Sequence, residues 1–322
     1  MSESKTVFKD YSNGLDILAS EIGPKFVEYR KHWDNAKNIE SSGPLQIDFE
    51  LLDNCNQRCI MCPRGYLSDS DEYSLNTNAR LSVDDMKSAI DQAAEGNLYC
   101  VGFSIGEPLL TKKELYAGIS HAAQKGVVDI ILTTNALLLD EECSNRLLES
   151  ELTRLHVSID ATTPQTYSQI RGKGFERVIK NLNYFLKRRE ELNKRLPIVR
   201  VSFVEQEQNR HEKADFINQW VNKVESVSVQ TMLLSPENKD IAAYDIEAHE
   251  KKFDCDYPWK MVEIVANGDL YPCCTFCGLN HLKLGNIKDT TILEAWEGKK
   301  MQAVKDGLAD ESLRVCSVCQ RF

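Results

Sequence analysis

The sequence predicts an α/β fold of parallel strand–helix–strand units, followed by a smaller C-terminal region. Two observations carry this. From Leu45 onward, six short apolar strand patterns alternate with longer helical ones, the arrangement that builds a parallel sheet with crossover helices. Near residue 235 the rhythm stops, and the composition turns to a Ser-Pro-Glu-Asn stretch and clustered cysteines.

Taken in order, residues 11–38 read as one or two helices ending before Ser41-Ser-Gly-Pro44, a loop signal. Leu45–Leu52 alternates apolar and polar residues, as a half-buried strand does. Further strands are expected at 98–104, 128–133, 153–159, 198–204 and 226–231, with helices near 82–94, 111–125, 139–150, 174–194 and 211–223. Ser82, with Asp84 and Asp85 in the next turn, reads as a helix start. Residues 235–240 read as a linker. Met261–Val265, Asn267-Gly268 and Asp269–Tyr271 then read as a β-hairpin, and a helix follows near 290–307. The expected division is an N-terminal helical extension over 1–44, a core over 45–234 and an auxiliary region over 235–322.

Composition narrows the function. The 322 residues carry a net charge of −10, a field that repels polyanions, so nucleic acid is not the expected partner. The run Lys187, Arg188, Arg189, Lys194 and Arg195 interleaves with Glu190 and Glu191 and reads as a solvated helix face. No apolar run approaches the roughly 20 residues that span a bilayer. The polar opening Met1–Thr6 lacks the apolar core of a signal peptide. The expected location is the cytoplasm.

In a reducing compartment, eleven cysteines read as metal ligands or catalytic thiols rather than disulfides. Cys100 and Cys143 lie in apolar or helical patterns and are expected to be buried. The other nine form two groups. The first is Cys55-x3-Cys59-x2-Cys62, directly after the first strand, where βα loops of parallel folds carry ligands. A cubane iron–sulfur cluster takes one thiolate per iron. Three cysteines therefore leave one iron open. A three-cysteine zinc site is the competing assignment, but the loop holds no histidine to complete it. The second group is Cys255, Cys273, Cys274, Cys277, Cys316 and Cys319.

The first loop resembles the signature of the radical S-adenosylmethionine (radical SAM) superfamily. That resemblance implies a partial (β/α)6 TIM-like barrel, matching the six strands, with a small C-terminal β-hairpin-plus-helix domain for an auxiliary cluster. It implies SAM chelated at the open iron and cleaved to a 5′-deoxyadenosyl radical. Met61 stands where many members have an aromatic residue. Ser104-Ile-Gly106-Glu107-Pro108 is similar to the family's Gly-Gly-Glu-Pro motif, with Ile105 replacing the first glycine and Glu107 expected to accept from the methionine ammonium. Thr134-Asn135-Ala136 resembles its Thr-Asn-Gly segment. Ser158 and Asp160 resemble positions that contact ribose and methionine, and Arg171 resembles an arginine that pairs with the methionine carboxylate.

The pattern Cys255-x12-Gly268-x4-Cys273 resembles the opening of a SPASM domain. Six cysteines are too few for two fully ligated auxiliary clusters, so the shortened, single-cluster twitch form is implied. Cys255, Cys273, Cys316 and Cys319 are the expected ligands, giving two 4Fe-4S clusters in all; a structural zinc on the same residues is the competing assignment. Cys274 and Cys277 remain, as packing residues, as a substitute ligand, or as a thiol that returns a hydrogen atom. The ligand spacing resembles aminocyclitol dehydrogenases of butirosin biosynthesis, which implies oxidation of a sugar or aminocyclitol carbinol with the auxiliary cluster as electron acceptor. The alternatives are a radical epimerase using Cys274 or Cys277, and a peptide-modifying maturase, for which residues 1–44 are short as a recognition domain. Flavodoxin or ferredoxin is the implied electron donor. His156 and His281 are candidate bases for a hydroxyl proton.

Overall fold

The computed structural model describes residues 8–10, 13–66, 77–232, 255–274, 277, 279–310, 312–313 and 316. The expected linker at 235–240 and Cys319 lie outside the described residues.

The predicted rhythm forms one sheet. Its central strands are β2 (Gln46–Phe49), β3 (Cys100–Phe103), β4 (Asp129–Thr134), β5 (Arg154–Ser158), β6 (Ile198–Glu205) and β7 (Ser226–Thr231). All five neighbouring pairs run parallel. Helices α4 (Val83–Ala94), α5 (Lys112–Gln124), α6 (Glu141–Glu149), α8 (Phe175–Glu191) and α9 (Lys213–Trp220) cross between them. Ser82 caps α4 as expected, its hydroxyl accepting the Asp85 N–H at 3.0 Å. Two short helices, α3 (Pro63–Tyr66) and α7 (Pro164–Ile170), sit in the rim loops.

Alternation along the strands separates two faces. Ile47, Phe49, Val101, Phe103, Leu155 and Val157 pack in the main core with the helices. The opposite parity carries Asp48, His156, Ser158, Arg200 and Ser202, in neighbouring register. Gly102 serves that face, because a Cβ there would lie 1.8 Å from the Asp48 carboxylate. An open parallel sheet with helices on its apolar side and a polar inner face is a partial barrel.

Three features depart from the sequence reading. A short strand, β1 (Phe8–Asp10), pairs antiparallel with β7, ahead of the expected helical stretch, which is two helices, α1 (Gly14–Ile22) and α2 (Pro24–Asp34). The single helix expected near 290–307 is two, α10 (Ile292–Glu297) and α11 (Lys299–Ala309), broken at extended Gly298. The hairpin of β8 (Met261–Ile264) and β9 (Asp269–Tyr271) does form. However, β8 also lies parallel against β2, and β10 (Gly285–Asn286) follows β9. The C-terminal strands therefore extend the barrel sheet beside the first cysteine loop.

Candidate active site

The loop after β2 is fastened to the rim of the barrel from three sides. Gly106 and Glu107 dock on it from the β3 loop: the Glu107 N–H donates to the Asn54 carbonyl at 3.2 Å. A Cβ on Gly106 would lie 2.6 Å from that same carbonyl oxygen, so the close approach requires glycine. Ile105 beside it has φ +37°, a strained conformation for a β-branched residue.

Asn135, after β4, donates from Nδ2 to Asn56 Oδ1 at 2.6 Å and reaches Cys55 Sγ at 3.8 Å. Ala136 holds the glycine-like φ of +58°. Glu107 is buried rather than solvated. Its carboxylate accepts from the Thr134 hydroxyl at 2.7 Å, the Asn135 N–H at 2.8 Å and the Leu109 N–H at 3.1 Å. A carboxylate has about four lone-pair sites, so one remains. Burial raises the Glu107 carboxyl above its usual range, against these hydrogen bonds.

Arg171, after α7, is the third tie. Its guanidinium grips Asp160, with Nε 2.6 Å from Oδ2, and reaches Cys59 Sγ at 3.7 Å from Nη1. Burial disfavours its charge, but Asp160 and Cys59 outweigh that and hold it protonated. Asp160, at φ +62°, also accepts the Val204 N–H at 2.7 Å. The arginine expected to meet a ligand carboxylate thus already has a protein carboxylate as partner. Ser158, at the end of β5, is half-buried and opposite Ser202.

The three thiols share this setting. Burial pushes Cys55 up and Cys59 up to about 11, with each also feeling Cys62. Thiols in such surroundings become thiolates on binding metal. Among the described residues, no three His, Cys, Asp or Glu side chains converge tightly enough for a single ion; a cubane spreads its thiolates over separate corners. The donor set, three thiols with Asn135 and Arg171 N–H groups directed at two of them, fits a thiolate-bound cluster.

In the C-terminal part, Cys255, Cys273, Cys277 and Cys316 gather in one small apolar cluster with Val265, Tyr271, Leu282, Val304 and Leu308. Cys274 stays outside it. Burial, with Glu263 and Cys274 nearby, pushes the Cys277 thiol well up. Cys100 and Cys143 are buried, as expected.

A cavity of about 260 Å³ is lined by Cys62 of the first cysteine region, by Cys274 and Cys277 of the second, and by Glu50, Asp53, Arg64 and Asp269. Sequence reasoning did not single out Glu50, Asp53, Gln57 or Arg64. Buried Arg64 pairs with both Glu50 and Asp53. The two acids diverge. Burial pushes Glu50 up to about 7 against the pull of Arg64. Burial also acts to raise Asp53, but Thr77 and Arg64 outweigh it and hold the carboxyl below its usual range. Gln57 bonds the Tyr167 hydroxyl at 2.8 Å. Neither candidate base lines the cavity. His156 is buried, and burial with Arg200 and Arg154 keeps it neutral; His281 is exposed.

An open parallel sheet with a thiol loop on the rim of its first strand is the frame of a SAM-dependent radical enzyme. Residues 49–199 match the radical SAM superfamily and residues 255–320 match the SPASM iron-sulfur cluster-binding domain; the chain belongs to the radical SAM superfamily and carries a C-terminal SPASM domain. SAM and iron–sulfur clusters are its cofactors, and two clusters fit this architecture. A probable GTP 3′,8-cyclase of Methanococcus vannielii is 32% identical over 129 residues, 40% of each chain. An AdoMet-dependent heme synthase of Methanosarcina barkeri is 30% identical over 149 residues, 46% of this chain and 40% of the relative. The match thus spans about two fifths of these relatives' length.

Among solved structures, Streptococcus suis SuiB bound to S-adenosylmethionine superposes with TM-score 0.66 at 19% identity, over 92% of this chain and 76% of that one. BtrN in complex with AdoMet and 2-DOIA superposes with TM-score 0.54 at 18% identity, over 86% and 92%. At these identities the likeness is one of fold. No helix among the described residues is long and apolar enough to cross a membrane.

Proposed function

We propose that this chain oxidises a carbinol carbon of a sugar or aminocyclitol by radical chemistry. The observation that carries the reading is the cavity bordered by Cys62 of the first loop and by Cys274 and Cys277 of the hairpin region. Small-molecule sites are concave, with a few placed polar groups among apolar ones, and this one lies where both cysteine regions meet. In this reading Cys55, Cys59 and Cys62 hold the first cluster, and Cys255, Cys273, Cys316 and Cys319 the auxiliary one. When bound, the first cluster and SAM supply a hydrogen-abstracting radical, and the auxiliary cluster an electron acceptor; flavodoxin or ferredoxin is the fitting donor class.

The chain's own residues position and shield. Gly106 lets the β3 loop lie close against the cysteine loop. The remaining acceptor site of Glu107 would take an ammonium N–H when SAM is bound, and Asn135 and Ser158 offer polar contacts on neighbouring strand ends. Asp160 and Arg171 act as a pair, fixing the loop around Cys59. An epimerase is the second reading, favoured by the two thiols on the cavity wall, either of which could return a hydrogen atom to carbon.

Incubation of reconstituted protein with SAM, reductant and a panel of sugars and aminocyclitols in D2O separates the two. Oxidation gives a product about two mass units lighter alongside 5′-deoxyadenosine, and epimerisation one about one unit heavier with deuterium on carbon. Absence of 5′-deoxyadenosine with every substrate overturns both.

A further inference from the structure

Oxidation of a carbinol releases three things: a hydrogen atom from carbon, a proton from oxygen and an electron. The cysteine regions account for the first and the last. The histidines that the sequence offered for the proton do not line the cavity. Three buried carboxylates do, those of Glu50, Asp53 and Asp269. Asp53 is taken up by Thr77 and Arg64 and Asp269 by Lys283 and Asn286, which leaves Glu50.

Glu50 follows β2 directly. Its N–H donates to the Ile264 carbonyl at 2.9 Å, which pins it between β2 and β8. Strand alternation sets its side chain on the polar face with Asp48, and it forms part of the cavity wall with Cys62, Cys274 and Cys277. It is 3% exposed. One carboxylate oxygen accepts the Ala266 N–H at 3.0 Å, and the other meets Arg64. Arg64 on α3 and Asp53 in the loop after β2 act on it directly; Cys277 feels both it and Glu263 of β8, and Asp269 of β9 and Cys274 share the cavity wall with it. A buried carboxylate held by one backbone N–H and one guanidinium is fixed in direction and has lone pairs left to accept.

We propose that Glu50 is the catalytic base of the oxidation, the carboxylate that takes the hydroxyl proton of a carbinol held in this cavity. This rests on the oxidation reading above. In the step, the C–H and O–H bonds break and the second C–O bond forms. The hydrogen atom goes to the SAM-derived 5′-deoxyadenosyl radical, the proton to Glu50, and the electron to an oxidised iron–sulfur cluster. The near-neutral titration that burial gives Glu50 suits this task, since a base works best when its pKa lies close to the working pH.

The test uses the reconstituted holoprotein and substrates deuterated at the carbinol carbon. In Glu50→Gln, deuterium should still enter 5′-deoxyadenosine, while oxidised product per 5′-deoxyadenosine falls on the order of 10²-fold or more. Glu50→Asp, which keeps a charge for Arg64, should recover part of that ratio. In the wild type the ratio should rise as pH passes upward through about 7, and in Glu50→Gln it should be flat. Infrared difference titration of wild type against Glu50→Gln gives a reading independent of turnover, with a carboxyl band ionising near neutral pH.

An unchanged product ratio in Glu50→Gln overturns the assignment. So does loss of deuterium transfer together with product in a variant of native circular dichroism, which would mark a purely structural residue. A wild type that transfers deuterium yet yields only epimer overturns the oxidation reading itself, and is told apart by the wild-type products alone.

Discussion

The two cysteine regions are held by different forces. Around Cys55 and Cys59 the fastening is polar and directional: Asn135 to Asn56 and Cys55, Arg171 to Asp160 and Cys59, and the Glu107 N–H to the Asn54 carbonyl. Each tie comes from the segment that follows a different strand, β3, β4 or β5, so the rim of the barrel fixes the loop. Around Cys255, Cys273, Cys277 and Cys316 the surroundings are an apolar cluster under α11. Packing of that kind has no preferred direction and yields gradually. The first region should therefore fail sharply when one partner is lost, and the second by degrees.

The largest expected effect separates the two outright. Cys59→Ala should lower 5′-deoxyadenosine formation by at least ~10³-fold and remove about four irons per chain. Cys273→Ala should remove a similar amount of iron while SAM cleavage persists, uncoupled from product. Iron content and 5′-deoxyadenosine, measured on the same samples, check the contrast; equal loss of SAM cleavage in both variants would erase it.

The next effect falls on the polar ties. Arg171→Ala leaves Asp160, fully buried, with its guanidinium partner gone. Breaking a buried pair from one side costs about 3–5 kcal/mol, to be read from the denaturant midpoint. Arg171→Lys should recover only part of this, because a single ammonium cannot span Asp160 and Cys59 as the planar fork does.

Much of this was legible in the sequence, and what was not has identifiable physical causes. The strand–helix rhythm follows from apolar periodicity, which also sets the parallel sheet. The Cys-x3-Cys-x2-Cys spacing is local and needs no tertiary information. Glu50 and Arg64 escaped notice because their pairing joins a strand end to a helix fourteen positions on, and nothing in either residue alone announces burial. The placement of β8 against β2 was hidden for the same reason: a pairing more than 200 residues apart in the chain leaves no local pattern. Gly102 is the exception that could have been caught. A glycine inside an apolar strand signals close approach, and here it admits Asp48.

A smaller effect should show the graded response of the second region. Leu282→Ala deletes a buried side chain from the cluster that holds Cys273 and Cys316. Truncations of this kind cost about 2–5 kcal/mol when fully buried, and a site at the edge of the sheet should sit at the low end. The expected sign is slower assembly or easier loss of the auxiliary cluster, with SAM cleavage intact, followed by absorbance during chelator challenge. Loss of both clusters together would mean that the two regions are one cooperative unit after all.

The smallest effect belongs to the wall between them. Glu50 has its carboxyl raised by burial to about 7, so the folded chain holds that proton more tightly than the unfolded one does. By linkage its contribution is fully present below the ordinary carboxylate range and is lost as pH rises through about 7. Wild-type stability should therefore decline between about pH 5 and pH 7 by at most about 3 kcal/mol, and Glu50→Gln, which cannot ionise, should lack that slope. Unfolding midpoints across this window decide it. A wild type whose stability instead rises with pH in the same interval would mean that Arg64 dominates the carboxylate, and the wall would then be a closed ion pair rather than a reactive one.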